Sequence, residues 1–540
     1  MKKAAIITAI ALTVAACGTR KAEPVPFSVI PSPNQVTLHE GNFRVVKPIV
    51  SINAAVPEDS RKAINAFGEL LASATGKKLS VTDALAKGAF TFECNPALAD
   101  EEYTLDVNAD GVLVTASSYS GFLYAIATLK QMMPAEVLAG AKMPVVLPCV
   151  SIQDKPRFAY RGVLLDACRH FWSIEETKRF IDIAALYKLN RLHWHLTEDQ
   201  GWRIEIKKYP KLTEVGSWRA GSPVPGKKEH DGIPVSGFYT QDEAREIVAY
   251  AVDRGVEVIP EIDLPGHMKA ALASYPELGC TGGPYEVACE YGVLDDVLCA
   301  GRDHTLEFVK DVLTEVMDIF PSRYIHLGGD ECPKVRWEAC PHCQAKIKEL
   351  GLKADGKKSA EELLQSWFMD QVIAQLEENG RQAIIWNDVL VDWDNQVIGA
   401  PSKKAVIAGW MRPVSSEIAV REGYSAILCP VGHLYLSSAD GNKLTGDAYL
   451  HRVFDVNVQP EGLTPEQQNL ILGVEACLWS ERVPDEDDLL WKLLPRLSAV
   501  AELQWADPQA RNYEDFLPRL QRMEALYTAR GWRWNPAEGR

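Results

Sequence analysis

The sequence predicts an α/β protein: a (β/α)8 TIM barrel catalytic domain preceded by a small α/β accessory domain. Three observations carry this prediction. From Arg161 onward, eight short apolar runs alternate with longer segments of helical periodicity over about 345 residues, a size that suits a TIM barrel with long loops. Polar residues cluster just after each apolar run, as they do at the C-terminal face of such a barrel. No Gly-rich phosphate or dinucleotide loop follows the first run, which weighs against an open doubly wound sheet.

Residues 28–150 form the accessory domain. Tyr103–Val107 and Val112–Ala116 flank an Asn-Ala-Asp-Gly turn, a hairpin signal. Phe122, Ile126 and Leu129 recur at helical spacing within a helix from about Tyr119 to Met133. Pro144, Pro148 and Pro156 read as a linker. The barrel then occupies residues 156–507. Its strands are read at Gly162–Asp166, Arg191–Leu196, Val256–Ile262, Tyr324–Leu327, Ala383–Trp386, Ala405–Trp410, Ser425–Leu428 and Leu472–Leu478, each an apolar run suited to burial on both faces. Helices are read at Ile174–Leu189, Leu306–Phe320, Leu363–Leu376 and Leu489–Trp505. Residues 434–470 read mostly as loop, and 508–540 as a C-terminal helical extension.

The 540 residues carry a formal charge of -16, from 57 basic and 73 acidic side chains, with no basic stripe. That balance excludes a nucleic-acid partner, which requires clustered Lys and Arg. Lys2, Lys3 and the apolar stretch Ala4–Ala16 form a segment too short to span a bilayer; it reads as a signal peptide over residues 1–16. Val14-Ala15-Ala16-Cys17 looks like a bacterial lipoprotein signal with Cys17 acylated and 17–27 as tether. The expected location is the periplasmic or outer-membrane face of a Gram-negative bacterium, with membrane contact only through the lipid.

Eleven cysteines follow Cys17. Cys340-Pro-His-Cys343, with Cys332 upstream, resembles half of a zinc site. No second CxxC pair exists, so a local disulfide or buried thiols is the preferred reading; Cys280 and Cys299 bracket one loop and could pair. No metal and no cofactor is expected.

The strand ends carry the chemistry. Strand one ends in Asp166 to Arg169, with Arg161 at its start; strand two in Glu198-Asp199-Gln200; strand three in Glu261, Asp263 and His267; strand four in Asp330-Glu331. Trp386, Trp410 and Trp479 end strands five, six and eight, with Glu481 beyond. Carboxylates with several Trp rings suit a sugar pocket, in which aromatic faces stack on pyranose C–H groups and acidic or Arg groups bind hydroxyls.

Five segments resemble glycoside hydrolase family 20, the β-N-acetylhexosaminidases. They are Arg161-Gly-Val-Leu-Leu-Asp-Ala-Cys-Arg-His170, His193-Trp-His-Leu-Thr-Glu-Asp-Gln-Gly-Trp-Arg203, Ile259-Pro-Glu-Ile-Asp-Leu-Pro-Gly-His267, His326-Leu-Gly-Gly-Asp-Glu331 and Glu475-Ala-Cys-Leu-Trp-Ser-Glu481. The resemblance implies an exo-acting, retaining enzyme that releases terminal β-linked N-acetylglucosamine or N-acetylgalactosamine from an oligosaccharide or glycoconjugate. It implies substrate assistance, the exception in which the sugar's own 2-acetamido group replaces a protein nucleophile. Glu331 is then the acid/base, and Asp330 orients the acetamido group and stabilises the oxazolinium intermediate. Tyr435 binds the acetamido carbonyl, Arg161 binds the 3- and 4-hydroxyls, and Asp199 with His267 forms a relay to Glu331. Neighbours on a strand point to opposite faces, so irregular backbone must bring Asp330 and Glu331 into one pocket. Ser437 departs from the family, which often places an acidic residue two positions after the tyrosine. Two alternatives stand beside this reading: a non-catalytic glycan-binding lipoprotein on the same barrel, and a glycosidase using separated carboxylates such as Glu261 with Glu331.

Overall fold

The structure is a computed structural model that describes residues 25–224, 229–439 and 449–536. The signal segment, Cys17 and most of the tether lie outside the described residues. Among those described, no helix is long and apolar enough to cross a membrane.

The N-terminal domain is a seven-stranded mixed sheet in the order Gln35–Arg44, Val146–Asp154, Tyr103–Asn108, Gly111–Ala116, Phe90–Cys94, Ile49–Ile52 and Ser80–Thr82. Helices Glu58–Thr75 and Tyr119–Met132 pack against it; Ile64, Phe67 and Leu71 of the first, with Phe122, Ile126 and Leu129 of the second, enter one core with Phe90 and Phe92. The expected linker is corrected here. Val146–Asp154 is a strand paired on both sides, and Pro148 lies opposite Asn42 at a break in the register, where a missing ladder N–H is tolerated.

The barrel closes in sequence order from Tyr160–Asp166 through Arg191–His195, Glu257–Glu261, Tyr324–His326, Gln382–Trp386, Val406–Gly409, Ser425–Leu428 and Ile471–Leu478. The eighth strand returns parallel to the first, with Gly473 opposite Tyr160 and Leu478 opposite Leu165. Alternate strand residues fill the interior, among them Leu164, Ile259, Ile384, Trp386, Val406, Ala408 and Ile427. Capping boxes start three of the outer helices: Ser173 with Glu176, Thr240 with Glu243, and Ser359 with Glu362. The expected helix Leu489–Trp505 is broken into Glu486–Leu493 and Arg496–Trp505, because Pro495 lacks the N–H that would continue the first. The stretch read as loop, 434–470, holds short helices at Tyr449–Asp455 and Pro465–Gln468. Tyr513–Arg530 is a C-terminal helix, and its Tyr527 hydroxyl reaches Tyr187 and Ser498 under the barrel's outer layer.

Charged groups hold the two domains together. Lys188 donates to Asp154 at 2.9 Å with both side chains inaccessible, and the Trp505 indole donates to the other Asp154 oxygen at 2.9 Å. The Arg161 guanidinium forks onto Glu101 at 2.8 and 3.1 Å and also reaches Phe158 O, Lys188 O and the Tyr124 hydroxyl.

Candidate active site

A cavity of about 590 Å3 opens at the C-terminal end of the barrel, within the usual range for small-ligand pockets. Its lining includes Arg169, Glu198, Asp263, His267, Tyr291, Asp330, Glu331, Trp410, Tyr435, Ser437, Trp479 and Glu481.

The fourth strand ends at His326 and gives way to irregular backbone. Gly328 and Gly329 have φ of +64° and +102°, and Glu331 itself sits at +44°. A Cβ on Gly328 would lie 1.6 Å from an Asp263 carboxylate oxygen, so only glycine lets the chain turn there. A left-handed non-glycine residue costs about 1–3 kcal/mol. Anchors offset it: Gly329 N–H donates to Asp263 at 3.2 Å, Gln365 donates to Gly329 O at 2.7 Å, and Glu331 N–H donates to Asp388 at 3.2 Å. The result brings both acids into one cavity, with side-chain exposures of 14% for Asp330 and 34% for Glu331.

His267, also at positive φ, stands between the acids and a buried carboxylate. Its Nδ1 donates to Glu198 at 2.7 Å, leaving Nε2 3.5 Å from Glu331 and 3.7 Å from Asp330. Burial disfavours a charged His267, but Glu198 and Asp263 outweigh it and hold its pKa well above the ordinary histidine value. The expected relay through Asp199 is therefore corrected. Asp199 is 3.8 Å from Nδ1, is buried outside the cavity lining, and accepts from the Lys269 N–H. Burial and the Glu198 charge raise its carboxyl to about 7. The partner of His267 is Glu198. Burial also raises the Asp330 carboxyl to about 8, with Asp388 and Glu331 adding to it and His267 pulling the other way. Asp330 Oδ1 is buried without a hydrogen-bond partner among the described residues.

Arg161 is corrected as well. It lies at the start of the first strand, 1% exposed, at the seam with the N-terminal domain and outside the cavity. The arginine in the cavity is Arg169, three residues past that strand's end. It reaches Glu198 at 3.0 Å, Asp166 at 3.2 Å and Gln200 at 2.9 Å, and lies over the Trp479 ring at 5.3 Å. The remaining N–H groups of the fork are available to ligand hydroxyls. Chain direction distinguishes the two: only residues beyond a strand's end reach the catalytic face.

Trp410, Tyr435 and Trp479 form the aromatic wall. Trp410 and Tyr435 stack at 6.0 Å and 19°, and Tyr435 meets Trp479 at 5.9 Å. Trp386 does not belong to it. As the last residue of its strand it points into the barrel, 1% exposed, where its indole donates to Glu261 at 2.9 Å and its ring supports Trp479 at 6.1 Å. Glu261 is inaccessible among His193, His195, His326 and Trp386, and this removes it as a catalytic partner of Glu331. Two contributors had no role assigned to them from the sequence. Asp388 binds both the Glu331 N–H and the Trp410 indole, the latter at 2.7 Å, and Tyr291 reaches the cavity from the long loop after strand three.

Comparison with known proteins decides the family. Residues 158–508 match the family described as Glycosyl hydrolase family 20, catalytic domain, and residues 27–155 match domain 2 of the same family. The chain belongs to glycosyl hydrolase family 20. This family 20 chain is 38% identical over 506 residues to a "Beta-hexosaminidase" of Porphyromonas gingivalis, covering 91% of the chain but 62% of that longer relative. A "Beta-hexosaminidase" of Akkermansia muciniphila is 36% identical, over 79% of this family 20 chain and 83% of the relative. Among solved structures, the GH20 exo β-N-acetylglucosaminidase of Vibrio harveyi in complex with N-acetylglucosamine superposes with a TM-score of 0.80 at 31% identity, covering 95% of this chain and 80% of that one.

Proposed function

We propose that this chain is an exo-acting β-N-acetylhexosaminidase that cleaves terminal β-linked N-acetylglucosamine or N-acetylgalactosamine with retention, by substrate assistance. The 2-acetamido carbonyl oxygen attacks C1 while Glu331 gives its proton to the departing glycosidic oxygen. The bond to the leaving group breaks, and an oxazolinium forms on the substrate. Asp330, protonated in the empty cavity, releases its proton to solvent as the substrate binds, because the acetamido N–H and the developing positive charge both favour the carboxylate that accepts the one and faces the other; the Tyr435 hydroxyl donates to the carbonyl oxygen. Glu331 then takes a proton from water, whose oxygen opens the ring at C1 with the original configuration. His267, held by Glu198, turns Nε2 toward both acids.

The observation that carries this reading is the buried, unpartnered Asp330 Oδ1 beside Glu331 in one cavity. A buried acceptor of this kind calls for a donor from the ligand, and an acetamido N–H supplies one. The named activities of the relatives support the substrate class. A thiazoline that mimics the oxazoline should compete with an aryl N-acetylglucosaminide and bind far more tightly than the product sugar. An active enzyme indifferent to the thiazoline would sink the mechanism and leave the glycosidase activity standing.

Ser437 lies on the cavity wall, an uncharged group two residues after Tyr435. The proposal extends to tolerance of galacto-configured and 6-substituted N-acetyl sugars on that side. Turnover of gluco, galacto and 6-sulfated aryl glycosides should fall within about tenfold of one another, the span of roughly one methylene-scale contact. Strict preference for unsubstituted N-acetylglucosamine would count against it.

Export and acylation at Cys17 belong to the same proposal and rest on residues 2–17. The full chain made in a Gram-negative host should fractionate with membranes, and Cys17→Ser should release it. Retention of the Ser form in the membrane fraction would refute the anchor.

A further inference from the structure

None of the eleven described cysteines is in a disulfide, yet four of them converge. Cys280 and Cys299 come from the long loop after the third barrel strand, and Cys340 and Cys343 from the segment after the fourth. One ligand atom from each lies within 4.8 Å of every other. The Sγ separations are 3.9 Å for Cys280–Cys343, 3.7 Å for Cys299–Cys340 and 3.7 Å for Cys299–Cys343. A disulfide needs about 2.0 Å. By contrast, four sulfurs placed about 2.3 Å from a central zinc are separated along the tetrahedron's edges by about 3.8 Å.

The surrounding backbone suits thiolates. Cys340 caps the helix Pro341–Leu350 and Cys343 lies in its first turn, where unpaired N–H groups favour negative charge. Cys299 opens a turn closed by the Arg302 N–H, which donates to Cys299 O at 3.3 Å. Gly301 lies against the His342–Cys343 peptide so closely that a Cβ there would come within 2.2 Å of backbone, so a glycine is needed to bring the two segments together. Cys299, Cys340 and Cys343 are buried and Cys280 is half-buried.

We propose that Cys280, Cys299, Cys340 and Cys343 hold a structural zinc ion as a tetrathiolate. Each thiol gives up its proton as Zn2+ binds, and four sulfur ligands leave no open position for chemistry. The second pair that the Cys340-Pro-His-Cys343 spacing lacks is supplied by two cysteines that are not a CxxC. Cys332, the nearer candidate in sequence, is not among the four converging cysteines, and its carbonyl accepts from Lys334 Nζ at 2.6 Å instead. The ion fastens the loop that carries Tyr291 to the segment that begins at Glu331. Two neighbouring contacts follow the same seam: the Trp337 indole donates to Leu298 O at 2.9 Å, and Arg336 pairs with Asp296 at 2.8 Å. The site is independent of the proposed reaction and stands or falls separately.

The test is elemental analysis of the full chain, purified without reductant or chelator. About one zinc per chain is expected, falling to near zero in the Cys340→Ser/Cys343→Ser double variant. Should that variant not fold, the unmutated protein still decides: a thiol-blocking mercurial should release zinc, read by a chromogenic indicator, in step with the modification of four thiols. Four free thiols without metal, two disulfides, or bound iron would each overturn the assignment.

Discussion

Glu331→Gln lowers kcat by about 10²-fold or more while the chain melts as before, because the amide keeps the shape of the side chain and loses only the transferable proton. Glu331 is one-third exposed and anchored through its backbone N–H, so the variant leaves no buried charge unpaired. Asp330→Asn gives a loss of similar size for a different reason: a neutral amide cannot stabilise the positive oxazolinium. The leaving group separates the two. An aryl glycoside with a strongly acidic phenol needs little protonation, so Glu331→Gln recovers much of its rate on that substrate. Asp330→Asn does not, since its defect lies in forming the ring. Near-normal kcat in either variant, or equal recovery of both on the activated substrate, contradicts the roles assigned here.

Arg169→Met and Arg161→Met are expected to fail in opposite ways. Arg169 neutralises Asp166 and Glu198, both inaccessible, and offers its free N–H groups to the cavity. Its loss raises KM and lowers kcat together, and Arg169→Lys restores only part because an ammonium cannot reproduce the fork. Arg161 touches no part of the cavity. Removing it strips Glu101 of a bidentate partner and costs about 3 kcal/mol of stability, the low end for a broken buried pair because Glu101 keeps 21% of its surface. The kcat and KM of the folded fraction stay unchanged. Chemical denaturation and steady-state kinetics on the two variants check this, and an Arg161 variant of normal stability with raised KM would return that residue to the pocket.

The barrel was legible because parallel strands buried on both faces must be continuous apolar runs, and all eight strands lie within two residues of the runs that predict them. The dyad was legible from its place at the end of the fourth run. What escaped depends on direction and on long-range pairing. Arg161 and Arg169 share one segment, and only the polarity of the strand separates a seam residue from a cavity residue. Trp386 is the last residue of its strand and Trp410 the first beyond its own, a one-residue difference that sends one ring into the barrel and the other to the wall. Glu198 and Asp199 are adjacent, and the fold alone decides which meets His267. Val146–Asp154 hid behind its prolines because the bulge that accommodates Pro148 is on the partner strand.

The seam between the domains bears on how such a chain can change. Lys188 and Arg161 belong to the barrel and Asp154 and Glu101 to the sheet, so any other neighbour packed on either half would cover charge that it leaves unpaired. Trp505, on the barrel's last helix, is packed into the core of the sheet domain. The two halves are thus poor candidates for exchange by recombination: a foreign neighbour would have to supply matching charges at the same positions at once. Variation in what this protein recognises is channelled instead into the loops above the strand ends, where residues can change without the halves having to change in concert.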